Sequence, residues 1–453
     1  MAFVKSSIAA RTIALGLAVL ATGLIAARPA SAEATLIVEV DSGKVLHAEH
    51  ATYPWYPASV TKLMTAYVIL RAIKERRITL DTLFTATGNA VAQGPTKIGF
   101  GVGATLTVDN ALKMLMVKSA NDVAVVLAEG LSGSIEKFAD EMNAASKRLG
   151  MTQSSWVNPN GLPADEQITS ARDMAILARA LILEFPEYEM YWRIPAIRYG
   201  KRTMPNHNGL MTYYPGTDGM KTGFICASGF NVVATASRNG RRLIVVVFGS
   251  SSGGARTVKA AQLFEKGFNG SGLSWLMPSL GSVDALQPIA AAPPNLRDEM
   301  CGPGRKRPAS EEAESDEIAT NGSSDVDNSS AYAVSARTLR DRLGKHMTML
   351  GGTPPPPMPP VVVYLGPPKK QGETLVATRP GKRKGTTAIA ETPAAPRAAT
   401  ASMVPGFNLT PAAASPAAST FAPASAETKP ATVTPAADTP APRKKRKRAA
   451  EKK

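Results

Sequence analysis

The sequence predicts a mixed α/β fold: a five-stranded antiparallel sheet, flanked by helices, with a helical subdomain inserted between its early and late strands. Runs rich in β-branched and other apolar residues predict the five strands at 35–40, 44–48, 218–226, 230–237 and 242–249. The last two are joined by Arg238-Asn239-Gly240-Arg241, a strong hairpin signal. Residues 59–180 show helical periodicity instead, so we expect a helical layer with a cleft where it meets the sheet.

The first 32 residues have the features of an export signal. Basic residues precede an apolar stretch at 12–27, and Ala30-Ser31-Ala32 matches a small-residue cleavage pattern. The alternative is an uncleaved membrane anchor, but a spanning helix needs about 20 apolar residues and this stretch is shorter. We therefore expect residues 1–32 to be a signal peptide, and the mature protein from Glu33 onward to be periplasmic or otherwise extracytoplasmic.

The two ends of the predicted domain complete the sheet. A turn at Asp41-Ser42-Gly43 joins the first two strands into a hairpin, which can pair with the three later strands. A helix predicted at 255–268 should cover the sheet. We place the catalytic domain at residues 33–275.

Ser59-Val60-Thr61-Lys62 is the first candidate for chemistry. It leads into an apolar run at 63–73 that predicts a buried helix, and a spacing of three places Ser59 and Lys62 within mutual reach. A serine nucleophile needs a neighbouring base, and a lysine can serve when burial and a second cation, here Lys221, favour its neutral form. The alternative is a capping serine and a solvated lysine, against which the apolar surroundings argue.

Ser119-Ala120-Asn121 is the second candidate and is predicted to be a loop between helical patterns at 108–117 and 122–130. The Ser119 hydroxyl can relay a proton, and the Asn121 amide can hold a substrate carbonyl or tether Lys62. The alternative is an ordinary turn tripeptide.

Lys221-Thr222-Gly223 is the third candidate and lies on a predicted strand at the cleft. Thr222 can donate to a carboxylate, and Gly223 admits a substrate backbone. The backbone N–H of Phe224 can join that of Ser59 in an oxyanion hole. The alternative is a surface lysine where a turn enters a strand.

The ordered set of three blocks resembles the Ser-x-x-Lys, Ser-x-Asn and Lys-Thr-Gly motifs of penicillin-binding proteins and serine β-lactamases. The chain is similar to the low-molecular-mass D-alanyl-D-alanine carboxypeptidases among them, over roughly residues 34–270. Further phrases that resemble this family are Pro57-Ala58-Ser59, Val157-Asn158-Pro159-Asn160-Gly161-Leu162, Ser170-Ala171-Arg172-Asp173, Asp218-Gly219-Met220-Lys221 and Gly229-Phe230-Asn231. The resemblance implies the β-lactamase/penicillin-binding-protein fold.

The resemblance also implies a serine carboxypeptidase that removes the terminal D-alanine from peptidoglycan stem peptides, with β-lactam antibiotics as covalent inhibitors. The implied roles are Ser59 as nucleophile, Lys62 as base, Ser119 and Asn121 as the proton-relay pair, and Lys221 with Thr222 as the carboxylate-binding group. Arg256 resembles an arginine that the family places near that carboxylate. The sequence departs from the family at Ile225, where a hydroxyl residue is common, and at His207, where some relatives carry arginine.

Other functions share these motifs. A D,D-endopeptidase would cut peptidoglycan cross-links with the same residues. A class A β-lactamase needs a glutamate in a Glu-x-x-Leu-Asn phrase; residues 154–158 lack an acid there, and Asp165 and Glu166 follow in a different phrase. A non-catalytic wall-binding protein would keep the fold as a peptide clamp, although every residue for the chemistry is present.

Residues 276–453 predict a largely disordered C-terminal tail. A proline run at 354–357 and an Ala/Pro/Thr/Ser tract at 392–442 lack the apolar surface that a folded core needs. An apolar island at 361–365 and a helical pattern at 335–350 are the segments expected to dock locally.

The formal net charge is +16, and a basic cluster at 443–448 contributes to it. In a cytosolic protein such clusters would suggest nucleic acid, but for an exported protein we expect no nucleic acid. The polyanions available are anionic membrane lipids, lipopolysaccharide phosphates and wall carboxylates. The alternative is a solvated tail that only aids solubility, and the sequence leaves both open.

We expect no metal and no cofactor, because neither the four scattered histidines nor the two cysteines have a spacing that suits zinc. Cys226 and Cys301 can instead form a disulfide that ties the start of the tail to the catalytic strand. The alternative is a buried Cys226 thiol beside a free Cys301.

Overall fold

Five antiparallel strands form the main sheet, which confirms the predicted fold class. The computed structural model describes residues 33–270, 279–304 and 358–368, all within the first of two units, 1–375 and 376–453. The strands of the described residues are β1 (Ala34–Glu39), β2 (Val45–Glu49), β3 (Leu83–Thr85), β4 (Thr105–Thr107), β5 (Ala196–Tyr199), β6 (Arg202–Pro205), β7 (Thr217–Ile225), β8 (Gly229–Arg238), β9 (Arg241–Ser250) and β10 (Val361–Val363). The main sheet has the order β2-β1-β9-β8-β7.

The hairpin between β8 and β9 forms where the sequence predicts it. Asn239 and Gly240 have φ angles of 52° and 74°, the left-handed values that a type I′ turn requires at both central positions. Arg238 and Arg241 face each other as the last pair of the ladder. Two-residue turns of this kind match the twist of the strands, which explains the tight connection.

Strand β9 is buried on both faces, and this explains its nearly continuous apolar sequence. Val245 and Val247 point into the cluster that contains Phe264 of the last long helix. Val246 and Phe248 point into the larger cluster on the opposite face. The alternation follows the two-residue period of a strand and places the sheet between two helical layers.

The helices of the described residues are α1 (Lys62–Lys74), α2 (Gly88–Ala92), α3 (Val108–Val117), α4 (Asn121–Ser132), α5 (Ile135–Leu149), α6 (Ala171–Glu184), α7 (Met190–Arg193), α8 (Leu210–Tyr213), α9 (Gly253–Asn269) and α10 (Arg297–Cys301). Helices α1 to α6 lie between β2 and β7, as predicted for the inserted helical subdomain. Helix α1 is buried almost all round, in agreement with its apolar sequence. In the described ranges, no helix is long and apolar enough to cross a membrane.

Two small sheets were not predicted. Strands β3 and β4 pair within the helical subdomain, and β5, β6 and β10 form a three-stranded sheet. In the latter, β10 comes from the apolar island at 361–365 and pairs in parallel with β5, so this predicted docking segment does pack on the fold. The predicted signal peptide, the helical pattern at 335–350 and the basic cluster at 443–448 lie outside the described residues.

Candidate active site

Ser59 lies in a 3-10 turn, Ala58–Thr61, that runs directly into α1. The sequence predicts Ser59 at the start of the α-helix itself, whereas the α-helix begins at Lys62. A 3-10 turn has three residues per turn and therefore aligns residues i and i+3 on one side. As a result, Lys62 Nζ donates a hydrogen bond to Ser59 Oγ over 2.9 Å.

Lys62 is fully buried, which excludes the alternative of a solvated lysine. Its Nζ also donates to Asn121 Oδ1 and to the backbone carbonyl of Asn160, both over 2.7 Å. No side-chain motif in the sequence indicates Asn160. It contributes a backbone atom, which no side-chain motif can reveal, and its only signal was its place in the Asn-Pro-Asn-Gly phrase at 158–161.

Ser119 has a left-handed backbone, with φ of 61°. This conformation is rare for a residue other than glycine, and such residues cluster at functional sites. The Ser119 Oγ atom is buried and has no hydrogen-bond partner among the described residues. Its hydroxyl therefore has both a donor and acceptor capacity available for a reacting group.

Asn121 is the first residue of α4, although the sequence predicts it in a loop. Its Nδ2 donates to the backbone carbonyls of Gly94 and Pro95, each over 3.0 Å. These two bonds fix the orientation of the amide, so that Oδ1 faces Lys62. The tethering role considered for Asn121 is consistent with this geometry.

Asp122, which belongs to none of the three motifs, anchors the segment that packs beside Asn121. Its carboxylate accepts hydrogen bonds from the backbone N–H groups of Ile98 and Gly99, over 3.2 and 2.9 Å. Burial raises the pKa of the Asp122 carboxyl, and these backbone donors oppose that shift. A buried carboxylate held in this way stiffens the wall of the site.

Lys221 and Thr222 are buried on β7, which excludes the alternative of a surface lysine. Lys221 Nζ donates to the backbone carbonyl of Thr222 over 3.0 Å. Thr222 Oγ1 is buried without a hydrogen-bond partner in the described part of the chain. A buried hydroxyl beside an ammonium group suits an anionic ligand.

Gly223 lies against the backbone of Ser59. A Cβ atom at Gly223 would be 2.7 Å from Ser59 N, 3.0 Å from Val60 N and 3.1 Å from Pro57 O. The sequence predicts that Gly223 leaves room for a substrate backbone. In the structure, the backbone that needs this room is that of the turn that carries Ser59. Phe224 follows on β7 and lines the same pocket as Ser59.

Asn231 and Arg256 brace β7 and the Ser59 turn. Asn231 lies opposite Gly223 in the β7–β8 ladder, and its Nδ2 donates to the Pro57 carbonyl over 3.2 Å. Arg256 of α9 is buried and donates to the backbone carbonyls of Asn231 and His207, over 3.2 and 3.3 Å. Arg256 thus contacts β8, the strand that pairs with the Lys-Thr-Gly block of β7.

An open pocket is lined by residues of the Ser-x-x-Lys and Ser-x-Asn motifs, by residues of β7 and by one residue from outside the predicted domain. Its lining consists of Ser59, Pro95, Thr96, Asn121, Asn160, Gly161, Leu162, Pro163, Phe224, Ile225, Cys226 and Arg297. Cys226 is bonded to Cys301 with an S–S distance of 1.98 Å, so the free-thiol alternative is wrong. No sequence motif indicated Arg297.

A serine hydrogen-bonded to a buried lysine, beside a buried Lys-Thr-Gly strand, is the arrangement of a serine acyl-transfer enzyme. The sequence model of the D-alanyl-D-alanine carboxypeptidase family matches residues 24–252. The chain belongs to that family, which confirms the resemblance inferred from the motifs.

Individual relatives agree with this assignment. The chain is 34% identical over 244 residues to the D-alanyl-D-alanine carboxypeptidase DacF of Bacillus subtilis, covering 52% of this chain and 62% of DacF. It is 35% identical over 244 residues to DacC of Escherichia coli, covering 52% and 61%. The chain thus spans less than two thirds of the length of either relative.

Solved structures show the same fold. Penicillin binding protein 5 from Haemophilus influenzae has a TM-score of 0.51 and 32% identity to this chain, covering 53% of this chain and 71% of that protein. This similarity confirms the predicted penicillin-binding-protein-like fold.

Proposed function

We propose that this chain is a serine D-alanyl-D-alanine carboxypeptidase that removes the terminal D-alanine from peptidoglycan stem peptides. The observation that carries the proposal is the 2.9 Å hydrogen bond between Lys62 Nζ and Ser59 Oγ in a pocket lined by Ser59. The names of the similar proteins DacF and DacC support this substrate class.

In the proposed acylation step, Ser59 Oγ attacks the carbonyl of the penultimate D-alanine. Lys62 acts as the base in its neutral form, in which its Nζ accepts the hydroxyl proton across the 2.9 Å contact with Ser59 Oγ. The developing oxyanion accepts hydrogen bonds from the backbone N–H groups of Ser59 and Phe224. The peptide C–N bond then breaks, and Ser119 relays the proton from Lys62 to the leaving D-alanine amine.

The terminal carboxylate of the substrate is proposed to bind at β7. The Thr222 hydroxyl is buried with its hydrogen-bonding capacity unused among the described residues, and Lys221 is its neighbour on the strand. Arg256 adds a second cation at the neighbouring strand β8, where it donates to the carbonyl of Asn231. This placement orients the scissile carbonyl toward Ser59. It raises the acylation rate mainly because it reduces the entropy cost of the attack.

Deacylation completes the proposed cycle. A water molecule attacks the ester on Ser59 and gives a proton to Lys62; the ester C–O bond then breaks, Lys62 returns the proton to Ser59 Oγ, and the shortened peptide leaves. A β-lactam would acylate Ser59 in the same way, and the slow hydrolysis of that ester would make it an inhibitor. Residues 154–158 carry no acid comparable to the deacylating glutamate of class A β-lactamases.

The test is the release of D-alanine from a diacetylated Lys-D-Ala-D-Ala peptide. We expect release by the wild-type protein and none by Ser59→Ala. Binding of the peptide without release would instead indicate a non-catalytic clamp. A cross-linked muropeptide in the same assay separates the two peptidase activities: cleavage of the cross-link in preference to release of D-alanine would indicate an endopeptidase.

We propose further that the enzyme acts outside the cytoplasm and that its basic end binds an anionic membrane or wall surface. The sequence at 1–32 and the cluster at 443–448 support this, since each basic residue near an anionic membrane contributes about 1 kcal/mol. Full-length protein and a variant with glutamine throughout 443–448 should be sedimented with anionic vesicles and with sacculi. Stronger sedimentation of the full-length protein at low salt, lost at high salt, is expected; equal sedimentation would refute targeting.

A further inference from the structure

The segment at 279–304 returns to the mouth of the candidate active site. The backbone N–H of Leu296 donates to the carbonyl of Ala227 over 2.9 Å, and the Leu296 and Met300 side chains are buried. The disulfide between Cys226 and Cys301 fastens the end of this segment to the residue that follows β7. The segment is therefore fixed to the catalytic strand by covalent, hydrogen-bonding and apolar contacts.

The fixed segment presents Arg297 to the pocket that contains Ser59. Its side chain is exposed, and its guanidinium has no hydrogen-bond or ion-pair partner among residues 33–270, 279–304 and 358–368. Lys62 and Lys221, by contrast, are buried and hydrogen-bonded within the fold. Arg297 is thus a pocket cation whose charge is available to a ligand.

The position of Arg297 along β7 identifies the part of the substrate that it faces. Gly223 lies beside Ser59, so β7 passes the nucleophile with Thr222 on one side and Cys226 on the other. At about 3.3 Å per residue, Cys226 lies about 13 Å along the chain from Thr222. Arg297, tethered next to Cys226, is therefore at the opposite end of the cleft from the proposed site for the terminal carboxylate.

We infer that Arg297 binds a free carboxylate on the acyl-donor side of the peptide and thereby selects substrates that carry one. The inference rests on the proposed function, in which the leaving D-alanine lies toward Thr222 and the preceding residues extend toward Cys226. A guanidinium matches a carboxylate with two parallel hydrogen bonds, a geometry that a lysine does not provide.

Two carboxylates of stem peptides have this chemistry. One is the side-chain carboxylate of a diamino diacid immediately before D-Ala-D-Ala. The other is the α-carboxylate of a γ-linked glutamate one residue earlier. Four synthetic peptides distinguish them. Two peptides each carry one of the free carboxylates, and the other two carry a carboxamide in place of that carboxylate.

The test compares kcat/KM for D-alanine release from these peptides by wild type, Arg297→Gln, Arg297→Lys and Arg202→Gln. Arg202 is an exposed arginine on β6 that does not line the pocket, and its variant is the matched control. We expect Arg297→Gln to lower kcat/KM about 2- to 5-fold on one of the acidic peptides and to leave the carboxamides unchanged, as for an exposed ion pair. Arg297→Lys should restore part of the loss, mainly through KM.

The results separate the proposed role of Arg297 from the proposed function of the protein. Equal effects of Arg297→Gln on acidic and amidated peptides, or no effect on any, would overturn the role of Arg297. Benzylpenicillin, whose side chain is neutral, should acylate Arg297→Gln at the wild-type rate; slower acylation would show that Arg297 acts on the catalytic machinery instead and would also overturn the inference. Failure of the wild-type protein to release D-alanine from any peptide would overturn the proposed function itself.

Discussion

Gly223→Ala should slow the acylation of Ser59, although Gly223 has no side chain and takes no part in the chemistry itself. The added Cβ would lie 2.7 Å from Ser59 N and 3.0 Å from Val60 N, and ordinary contact begins at 3.4 Å. The Ser59 backbone must therefore move by about 0.7 Å, since the contacting atoms belong to the main chain and have no rotamer to adopt. The same shift displaces the Ser59 N–H that the proposed oxyanion hole requires.

The expected size of the effect follows from this displacement. A misplacement of about 1 Å at a reacting centre can cost about 10²-fold in rate, so a shift of about 0.7 Å should lower the acylation rate about 10- to 100-fold. Overpacking should also lower the free energy of unfolding, by about 1 to 3 kcal/mol. The variant should therefore fold while acylating slowly.

The assay is the second-order rate constant for labelling by a fluorescent penicillin, measured alongside thermal unfolding. Gly101→Ala is the control, because a Cβ at Gly101 meets nothing within 4 Å and its φ is not left-handed. It should label at the wild-type rate. If Gly223→Ala also labels within twofold of wild type, the Ser59 turn is not held where the structure places it, and the reasoning is refuted.

Lys62→Met should fold but acylate about 10²- to 10⁴-fold more slowly in the same labelling assay, because Ser59 loses its base; near-normal labelling would mean that another group serves. Cys301→Ser should lower the free energy of unfolding in denaturant by about 4 kcal/mol, from the chain entropy of a disulfide that spans 75 residues, and equal stability would contradict this. Glu265→Gln should destabilise the protein at pH 7, and its difference in stability from wild type should shrink as the pH falls below about 4.3. The Arg238 guanidinium holds the pKa of Glu265 below its usual range, so the stabilisation is complete above the unfolded value of about 4.3 and is lost as the pH falls through the folded pKa; a difference independent of pH would argue against it.

The parts of the site that could be predicted from the sequence depend on local geometry. Ser59 and Lys62 meet because residues three apart lie on the same side of either a 3-10 turn or an α-helix. The β8–β9 hairpin forms because Asn239 and Gly240 accept left-handed φ angles. In both cases the residue types and their spacing carry the structural information.

The parts that could not be predicted depend on contacts between distant segments. Asn160 acts through its carbonyl, which is the same atom in every residue, and only the folded chain brings it to Lys62. Arg297 reaches the pocket because a disulfide closes a separation of 75 residues, and the sequence left the pairing of its two cysteines open. Gly223 was predicted as a glycine that makes room for the substrate, but it makes room for the Ser59 turn. That close approach exists only in the tertiary structure, so the sequence could not reveal it.

The proposed function depends on an acyl-enzyme formed at Ser59. The most direct measurement is to incubate the full chain with benzylpenicillin, digest it and locate the adduct by mass spectrometry. We expect a single adduct on the peptide that contains Ser59, and no adduct on the Ser59→Ala protein. An adduct on Ser119 or any other residue, or full labelling of Ser59→Ala, would contradict it.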